Sequence, residues 1–547
     1  MKTFKNRGLA AILRGFSAIA VISFFLPALV YGQAPAMTKH IHEAISQLNW
    51  LERLPASQSL QLNITLPLRN EAQLDKLLEQ IYNPQSPMYH QFLSVEDFTE
   101  RFGPSQEDYE TVISFAEKNG LAVTGTSPNR LVVNVEGRVV DIEKAFHVNM
   151  NIYQHPTENR VFYSPDKEPT TDSEVKLWHI TGLDNFSKPK PASLIRDAAA
   201  RGNTTGSGPS GYFIGSDMRT AYYGGTALTG AGQSVGLMEF AGYNMADITN
   251  YFAKVGQPLK VSVVGVSTDG SSLNCTGKCD DTEQALDIEV AISMAPGMNK
   301  VLVYVSDTSD VSIFNKMATD NIAKSLACSW GWSPADPASD DPIFKEFAVQ
   351  GQTLFVASGD SGAYRNSRYI YPADDAYITS VGGTNLTTLS AGGAWKSETA
   401  WSYSGGGISP NRIAIPSYQK TTGVITNANK GSRVYRNAPD VAAEANTDNY
   451  ICYNGTCAGG WGGTSFAAPR WAGYLALVNQ QSVAHGDGTL GFINTAIYSI
   501  GLGAKYSANF HDITSGNNGT YSTQKGYDLV TGWGSPNGTG LINSLAP

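Results

Sequence analysis

The run Gly462-Gly463-Thr464-Ser465-Phe466-Ala467-Ala468-Pro469 sets a serine in a glycine-flanked turn that leads into an Ala-rich apolar stretch. Such a turn presents a nucleophilic hydroxyl at a helix start, where unpaired N–H groups face developing negative charge. A serine of this kind needs a base, and the usual one is a histidine. Beyond residue 210 the chain contains only His485 and His511, both following Ser465, and no His-Gly-Thr run precedes it. An imidazole base placed ahead of the serine is therefore excluded, and another group must take its proton.

Carboxylates are the available substitutes. The stretch Thr282-Glu283-Gln284-Ala285-Leu286-Asp287-Ile288-Glu289-Val290-Ala291 has helix-forming composition, with Asp280 and Asp281 near its start. Glu283 and Asp287 are four apart and share one helix face. Two acids so placed raise each other's proton affinity, so one can accept a serine proton while the other orients it. On its own the same pair also describes a solvated helix face. Glu289 is offset from that face and is assigned a structural role. A third acid, Asp360, follows apolar Leu354-Phe355-Val356-Ala357 in the run Ser358-Gly359-Asp360-Ser361-Gly362. At the carboxyl end of a strand and kept protonated, it would donate to an oxyanion; an Asx turn is the ordinary alternative. A lipase-type Gly-x-Ser-x-Gly elbow is absent, since the run around Ser465 reads Gly463-Thr464-Ser465-Phe466-Ala467.

Near the C-terminus, Phe510-His511-Asp512-Ile513-Thr514-Ser515-Gly516 precedes Gly526-Tyr527-Asp528-Leu529-Val530. Two separated carboxylates among Gly-rich turns, with free backbone carbonyls, supply the hard oxygen ligands that calcium takes; plain loop turns are the competing account.

These residues need a scaffold. The apolar segments Ser234 to Met238, Lys300 to Val305 and Thr353 to Ala357 alternate with helical stretches, which predicts a mostly parallel sheet covered on both faces. Functional loops then belong at the carboxyl ends of its strands. Ahead of this, residues 48–185 mix strand and helix signals. Leu60 to Leu66 alternates like a strand, Gln73 to Ile81 and Tyr109 to Lys118 have helical spacing, and Leu131 to Val135 returns to strand. A small α+β domain, ferredoxin-like, is expected there. Residues 186–210 join the two, opening with Ser187-Lys188-Pro189-Lys190-Pro191 and closing on Gly206-Ser207-Gly208-Pro209, which is linker chemistry. Arg196 and Arg201 within it are open to a protease.

Residues 1–32 read as an export signal: Lys2, Lys5, Arg7 and Arg14, then apolar Ala18 to Val30, then Val30-Tyr31-Gly32. The apolar run is too short for a spanning anchor, and no membrane partner is expected after its removal. Charged residues are only 16% of the 547 and glycines number 55, a composition that suits an exported hydrolase and excludes a disordered chain. A formal charge of −9 excludes nucleic acid as an expected partner. The five cysteines fit an oxidising compartment: Cys275 with Cys279 and Cys452 with Cys457 read as loop staples, leaving Cys328 buried and free. A zinc site from the first four is the alternative, without the usual C-x2-C spacing.

Taken together, Glu283-x-x-x-Asp287, Ser358-Gly359-Asp360-Ser361-Gly362 and the Gly-Thr-Ser-x-x-x-Pro run ending at Pro469 resemble the sedolisin family of serine-carboxyl peptidases. The last of these is also the serine signature of subtilisin-like hydrolases. The front segment is similar to that family's kumamolisin-type activation prodomain in Ser86-Pro87-Met88-Tyr89-His90, Phe102-Gly103-Pro104-Ser105, Asn129-Arg130-Leu131 and Phe146-His147-Val148. The later segment is similar in Met218-Arg219-Thr220-Ala221-Tyr222, Tyr371-Pro372-Ala373 and Val381-Gly382-Gly383-Thr384. The resemblance implies an α/β chain with a subtilisin-like parallel-sheet peptidase domain over residues 211–547, preceded by the prodomain at 48–185 and a cleavable linker at 186–210.

It also implies Ser465 as nucleophile, Glu283 as general base, Asp287 as its partner and Asp360 as oxyanion-hole acid. Glu239 and Trp330 match an extended hydrogen-bond network seen in some members. Calcium would be held by Asp512, Ile513, Gln524, Gly526 and Asp528, with Gln524 standing where the family often has glycine. The expectation is a secreted, monomeric zymogen that acts on polypeptides by way of an acyl-enzyme, works best in acid and is held by its own prodomain. A different class remains open, an extracellular calcium-binding module on the same scaffold that has lost catalysis. Whether action is endoproteolytic or tripeptidyl is left open.

Overall fold

The computed structural model describes residues 39–547, apart from 175, 193, 198–204, 278 and 367–368. The expected export signal at 1–32 and Arg201 lie outside the described residues. Within them, no helix is long and apolar enough to cross a membrane.

Runs of apolar and β-branched residues form a sheet whose inner strands are buried on both faces. In spatial order its strands are Ser262–Ser267, Lys300–Val305, Ser234–Glu239, Ser325–Cys328, Thr353–Ala357, Thr379–Thr388 and Trp395–Ala400, with Val441–Glu444 also pairing on Thr379–Thr388. All neighbours are parallel except Trp395–Ala400, which runs antiparallel to Thr379–Thr388. The three strands expected from the apolar runs are present. Helix Thr464–His485 and helix Thr282–Met294 pack against one another beside this sheet. Every residue of Thr282–Met294 is buried, so its acidic face is not solvated.

The front part is built on a second, antiparallel sheet in the order Ala122–Thr126, Val132–Arg138, Ser59–Thr65, His179–Thr181. Helices Glu71–Ile81 and Gln106–Lys118 lie in the connection from Ser59–Thr65 to Ala122–Thr126, and Val139–Phe146 follows Val132–Arg138. This is the β-α-β-β-α-β connectivity of ferredoxin-like folds. Its core is Leu62, Ile64, Val112, Val133, Ile142 and Phe146 with their neighbours. A further sheet, Trp50–Arg53 with Met150–Gln154 and Val161–Pro165, was not evident from the sequence pattern.

The front part docks on the large sheet's helices through buried polar contacts. Tyr82 donates its hydroxyl to the Ala348 carbonyl and accepts from the Phe492 N–H at 2.8 Å. Asn63 bonds Ser309 and Ser312, Asn129 donates to Glu346 at 2.7 Å, and Lys345 reaches Glu71 and Asp75 at 2.7 and 2.9 Å. Disulfides join Cys275 to Cys279 and Cys452 to Cys457, and Cys328 is free and buried. The two staples use the thiols that a zinc ion would need.

Candidate active site

The site forms where the carboxyl ends of parallel strands meet the starts of two buried helices. Ser465 is the second residue of helix Thr464–His485 and is fully buried. Glu283 and Asp287 come from the first turns of Thr282–Met294, and Asp360 from the loop after strand Thr353–Ala357. Sequence separations of more than a hundred residues thus close into one pocket.

Asp360 faces the serine helix start. Its Oδ1 accepts from the Thr464 N–H at 2.7 Å and the Thr464 hydroxyl at 2.8 Å, while its buried Oδ2 has no partner. The Thr464 hydroxyl in turn accepts from the Gly359 N–H at 3.0 Å, which locks the loop to the helix. A Cβ at position 463 would stand 2.6 Å from Asp360 Oδ2, so only glycine leaves room for the carboxyl there. Burial pushes the Asp360 carboxyl up to about 7, against the opposing pull of the two Thr464 bonds. At acid pH Oδ2 carries a proton and is a donor aimed into the pocket.

Across the pocket, burial first and the neighbouring Asp287 second raise Glu283 well above the ordinary carboxyl range, and Ser465 opposes this from close by. The Ser465 hydroxyl and the Glu283 oxygens stop short of hydrogen-bond geometry. Such looseness is common in the absence of substrate. Burial, then Glu239, raises Asp287; burial, then Glu283, raises Glu239. Glu239 and Asp287 lie within hydrogen-bonding reach of each other, and two carboxyls can bond only by sharing a proton. The other ends are tied down: Trp330 donates its indole N–H to Glu239 at 3.0 Å, and Ser329 Oγ donates to Asp287 at 2.9 Å. No basic side chain contributes to any of these four carboxyls. The pocket therefore holds little negative charge, and a proton shared by Glu239 and Asp287 lets Glu283 carry it.

The structure brings together all of Ser465, Glu283, Asp287, Asp360, Glu239 and Trp330. Glu289 points elsewhere and accepts from the Cys452 N–H. His511 stacks on Trp395 at 3.9 Å and His485 contacts the C-terminal Pro547, so neither imidazole joins the site. Ser329 and Thr464 were missed in the sequence, where small hydroxyl residues beside a motif carry no distinguishing signal.

The linker runs through this pocket. Lys190–Pro191 pairs antiparallel with Trp330–Gly331, and the Ala192 N–H reaches the Ser329 carbonyl at 2.9 Å. Farther on, Ile195–Arg196 pairs antiparallel with Trp461–Gly462, and the Asp197 N–H reaches the Gly460 carbonyl. Leu194 lies against Gly463. The chain is thus paired to the cleft on both sides of the serine, at Lys190–Pro191 and at Ile195–Arg196.

Known proteins resemble the chain in both of its parts. Residues 46–186 match the pro-kumamolisin activation domain and residues 305–486 the subtilase family. Kumamolisin of Bacillus sp. (strain MN-32) is 29% identical over 91% of this chain and 94% of its own length. Sedolisin of Pseudomonas sp. (strain 101) is 28% identical over 90% and 88%. Tripeptidyl-peptidase 1 of Rattus norvegicus is 25% identical over 90% and 93%. The structure of Pseudomonas sedolisin, described as a serine-carboxyl proteinase complexed with two molecules of pseudo-iodotyrostatin, superposes with a TM-score of 0.53 at 28% identity, covering 62% of this chain and 98% of that one.

The chain joins a segment that matches the pro-kumamolisin activation domain to one that matches the subtilase family, and kumamolisin and sedolisin are similar to it over most of its length. It is a serine-type peptidase with a subtilisin-like parallel-sheet fold and an N-terminal pro-domain. A calcium ion is expected at residues 512–528, and the loops there present oxygen atoms. Asp512 accepts from the Gly526 N–H and the Tyr506 hydroxyl, and buried Asp528 accepts from the N–H groups of Gln524, Val530 and Thr531. Gly526 holds its carbonyl with φ +81°, a conformation that favours glycine. The carbonyls of Ile513, Gln524 and Gly526 accept no backbone bond among the described residues. Burial pushes the Asp528 carboxyl up to about 7, as expected for an acid lacking a countercharge. Among the described residues no group of three or more His, Cys, Asp or Glu could hold a metal. A site of two carboxylates and backbone carbonyls would not meet that test, and the donor set itself fits calcium.

Proposed function

We propose that the chain is a secreted zymogen of an acid-active serine-carboxyl peptidase that hydrolyses polypeptides through Ser465, Glu283, Asp287 and Asp360. The observation that carries this reading is the unpartnered Asp360 Oδ2 on one side of Ser465 and the buried Glu283–Asp287 pair on the other.

Ser465 Oγ attacks the peptide carbonyl carbon as Glu283 takes the hydroxyl proton. Asp360, protonated, donates from Oδ2 to the oxyanion. Glu283 then passes the proton to the leaving amine and the C–N bond breaks, leaving an acyl-enzyme. Water attacks the ester with Glu283 again as base, and Ser465 recovers its proton. Asp287, fixed by Ser329 and by the proton shared with Glu239, orients Glu283 and keeps the nearby charge low.

The linker supports a self-maturation route. Held to the cleft at Lys190–Pro191 and again at Ile195–Arg196, it offers the stretch between those pairings for cutting, and a cut there separates residues 48–185 from the peptidase part at 211–547. Before the cut, the same strand and the docked prodomain block the cleft. Asp512, Ile513, Gln524, Gly526 and Asp528 would hold a calcium ion, which would brace the C-terminal loops. The alternative, a calcium-binding module without catalysis, has no use for four assembled carboxyls.

The test is hydrolysis of a denatured protein across the pH range, with N-terminal sequencing of the matured chain. Activity peaking below about pH 5 is expected, together with a cut in the stretch between those two pairings that Ser465→Ala abolishes. A neutral or alkaline optimum, or wild-type turnover by Ser465→Ala, overturns the mechanism.

A further inference from the structure

We infer that the mature enzyme favours substrates with a basic side chain on each side of the cut, read by Tyr369 before it and by Trp461 after it. This rests on the peptidase reading of Ser465. It starts from the linker, the one polypeptide seen in the cleft.

On the N-terminal side of the crossing point, Lys190 pairs with Gly331. A Cβ at Gly331 would stand 2.7 Å from the Tyr369 carbonyl oxygen, so glycine lets the Tyr369 segment come directly behind the pairing strand. The Lys190 ammonium donates to the Tyr369 hydroxyl at 2.8 Å and lies 4.6 Å from the ring centroid. Glu158 of the front domain holds the same ammonium at 2.9 Å and accepts from the Tyr369 hydroxyl. When the front domain leaves, Glu158 leaves with it. Tyr369 remains, with an oxygen positioned for another ammonium.

On the far side, Arg196 pairs with Trp461 and its guanidinium lies 5.5 Å from the indole centroid. That ring is braced edge-on by Tyr453 at 5.0 Å. The Trp461 strand leads directly into Gly463 and Ser465, so this contact is registered to the nucleophile.

Both readers are aromatic, and this matters for an enzyme working in acid. A surface carboxylate loses its charge as the pH falls below about 4, and with it its hold on Lys or Arg. A ring quadrupole and a phenolic oxygen do not titrate there. Tyr369 and Trp461 therefore keep their selectivity at a pH where acidic subsites fail.

The experiment uses matured wild-type enzyme and a decapeptide with the sequence of residues 188–197, alongside peptides carrying Lys190→Gln or Arg196→Gln. Each replacement is expected to lower kcat/KM by about three- to tenfold. Tyr369→Phe, which keeps the ring and loses the hydroxyl, should narrow the difference in kcat/KM between the lysine and glutamine peptides. Trp461→Leu should do the same for the arginine position; if it does not fold, Trp461→Phe replaces it and the peptide comparison with wild type decides. Equal rates for the three peptides, or a Tyr369→Phe loss identical with lysine and glutamine, overturn the inference. So does cleavage of denatured protein with none of the peptides cut. Failure to cut protein and peptides alike removes the peptidase reading itself.

Discussion

Ser329 stands between the acid and the nucleophile: its Oγ donates to Asp287 Oδ1 at 2.9 Å and lies 3.4 Å from the carbonyl oxygen of Ser465. Pro469, four residues along the serine helix, has no N–H to offer that carbonyl. The Ser329 backbone carbonyl meanwhile holds Ala192 of the linker. One residue thus touches the carboxyl pair, the nucleophile's backbone and the substrate strand.

Ser329→Ala should leave Asp287 Oδ1 without a donor and let the carboxyl pair turn. We expect kcat to fall by about tenfold, the equivalent of one hydrogen bond to a carboxyl, with KM little changed and the pH–rate profile displaced. Ser329→Thr, which keeps the hydroxyl, should recover part of the loss. Steady-state kinetics across pH checks this, and an unchanged profile in Ser329→Ala removes the role.

Asp360, held up to about 7, sets an alkaline limit. Its folded value lies above its ordinary value near 4, so the stability it contributes is present below about pH 4 and is lost as pH rises toward 7. The rate of loss is up to about 1.4 kcal/mol per pH unit. Buried Glu283, Asp287 and Glu239 act in the same direction. Thermal melts should therefore show Tm falling from acid to neutral pH. Asp360→Asn keeps an acceptor for Thr464 and a permanent donor for the oxyanion. It should flatten both the loss of activity near pH 7 and part of the fall in Tm. A variant with the same pH limits as wild type would refute the assignment.

Lys345 ties the front domain to the peptidase domain through Glu71 and Asp75, whose side chains are half-exposed. Such half-exposed pairs are worth about 0.5–1 kcal/mol each. In the full-length chain, Lys345→Met should shorten the half-time of self-maturation by about three- to fivefold near pH 5. Time courses on gels measure this, and equal half-times for variant and wild type would show that the ion pairs do not restrain the prodomain.

Calcium at Asp512 and Asp528 should stabilise the folded chain by about 2.7 kcal/mol when free ion exceeds its dissociation constant a hundredfold. Chelation should lower Tm by several degrees, and Asp528→Asn should lower it without further response to chelator. A Tm indifferent to both would argue against a structural ion. Melting at neutral pH gives the readout independently of peptidase activity.

The sequence by itself determined which residues carry chemistry. With no histidine between residue 210 and Ser465, the proton had to go to an acid, and Glu283-x-x-x-Asp287 on a helix-forming run was the available pair. Apolar runs such as Lys300–Val305 read directly as buried parallel strands, because burial on both faces removes the polar alternation. What only the tertiary structure decided was environment. A helix face bearing Glu283 and Asp287 reads the same whether it meets water or the serine helix. Packing against Thr464–His485 is what desolvates the pair and raises its proton affinity. Ser329 and Thr464 became visible only when distant strands met, since a lone hydroxyl has no pattern in sequence. The Pro- and Ser-containing linker read as a free tether, yet open strand edges at Trp330–Gly331 and Trp461–Gly462 took up its backbone hydrogen bonds. Composition gives a segment's own preference, and the unsatisfied edge it meets decides where it lies.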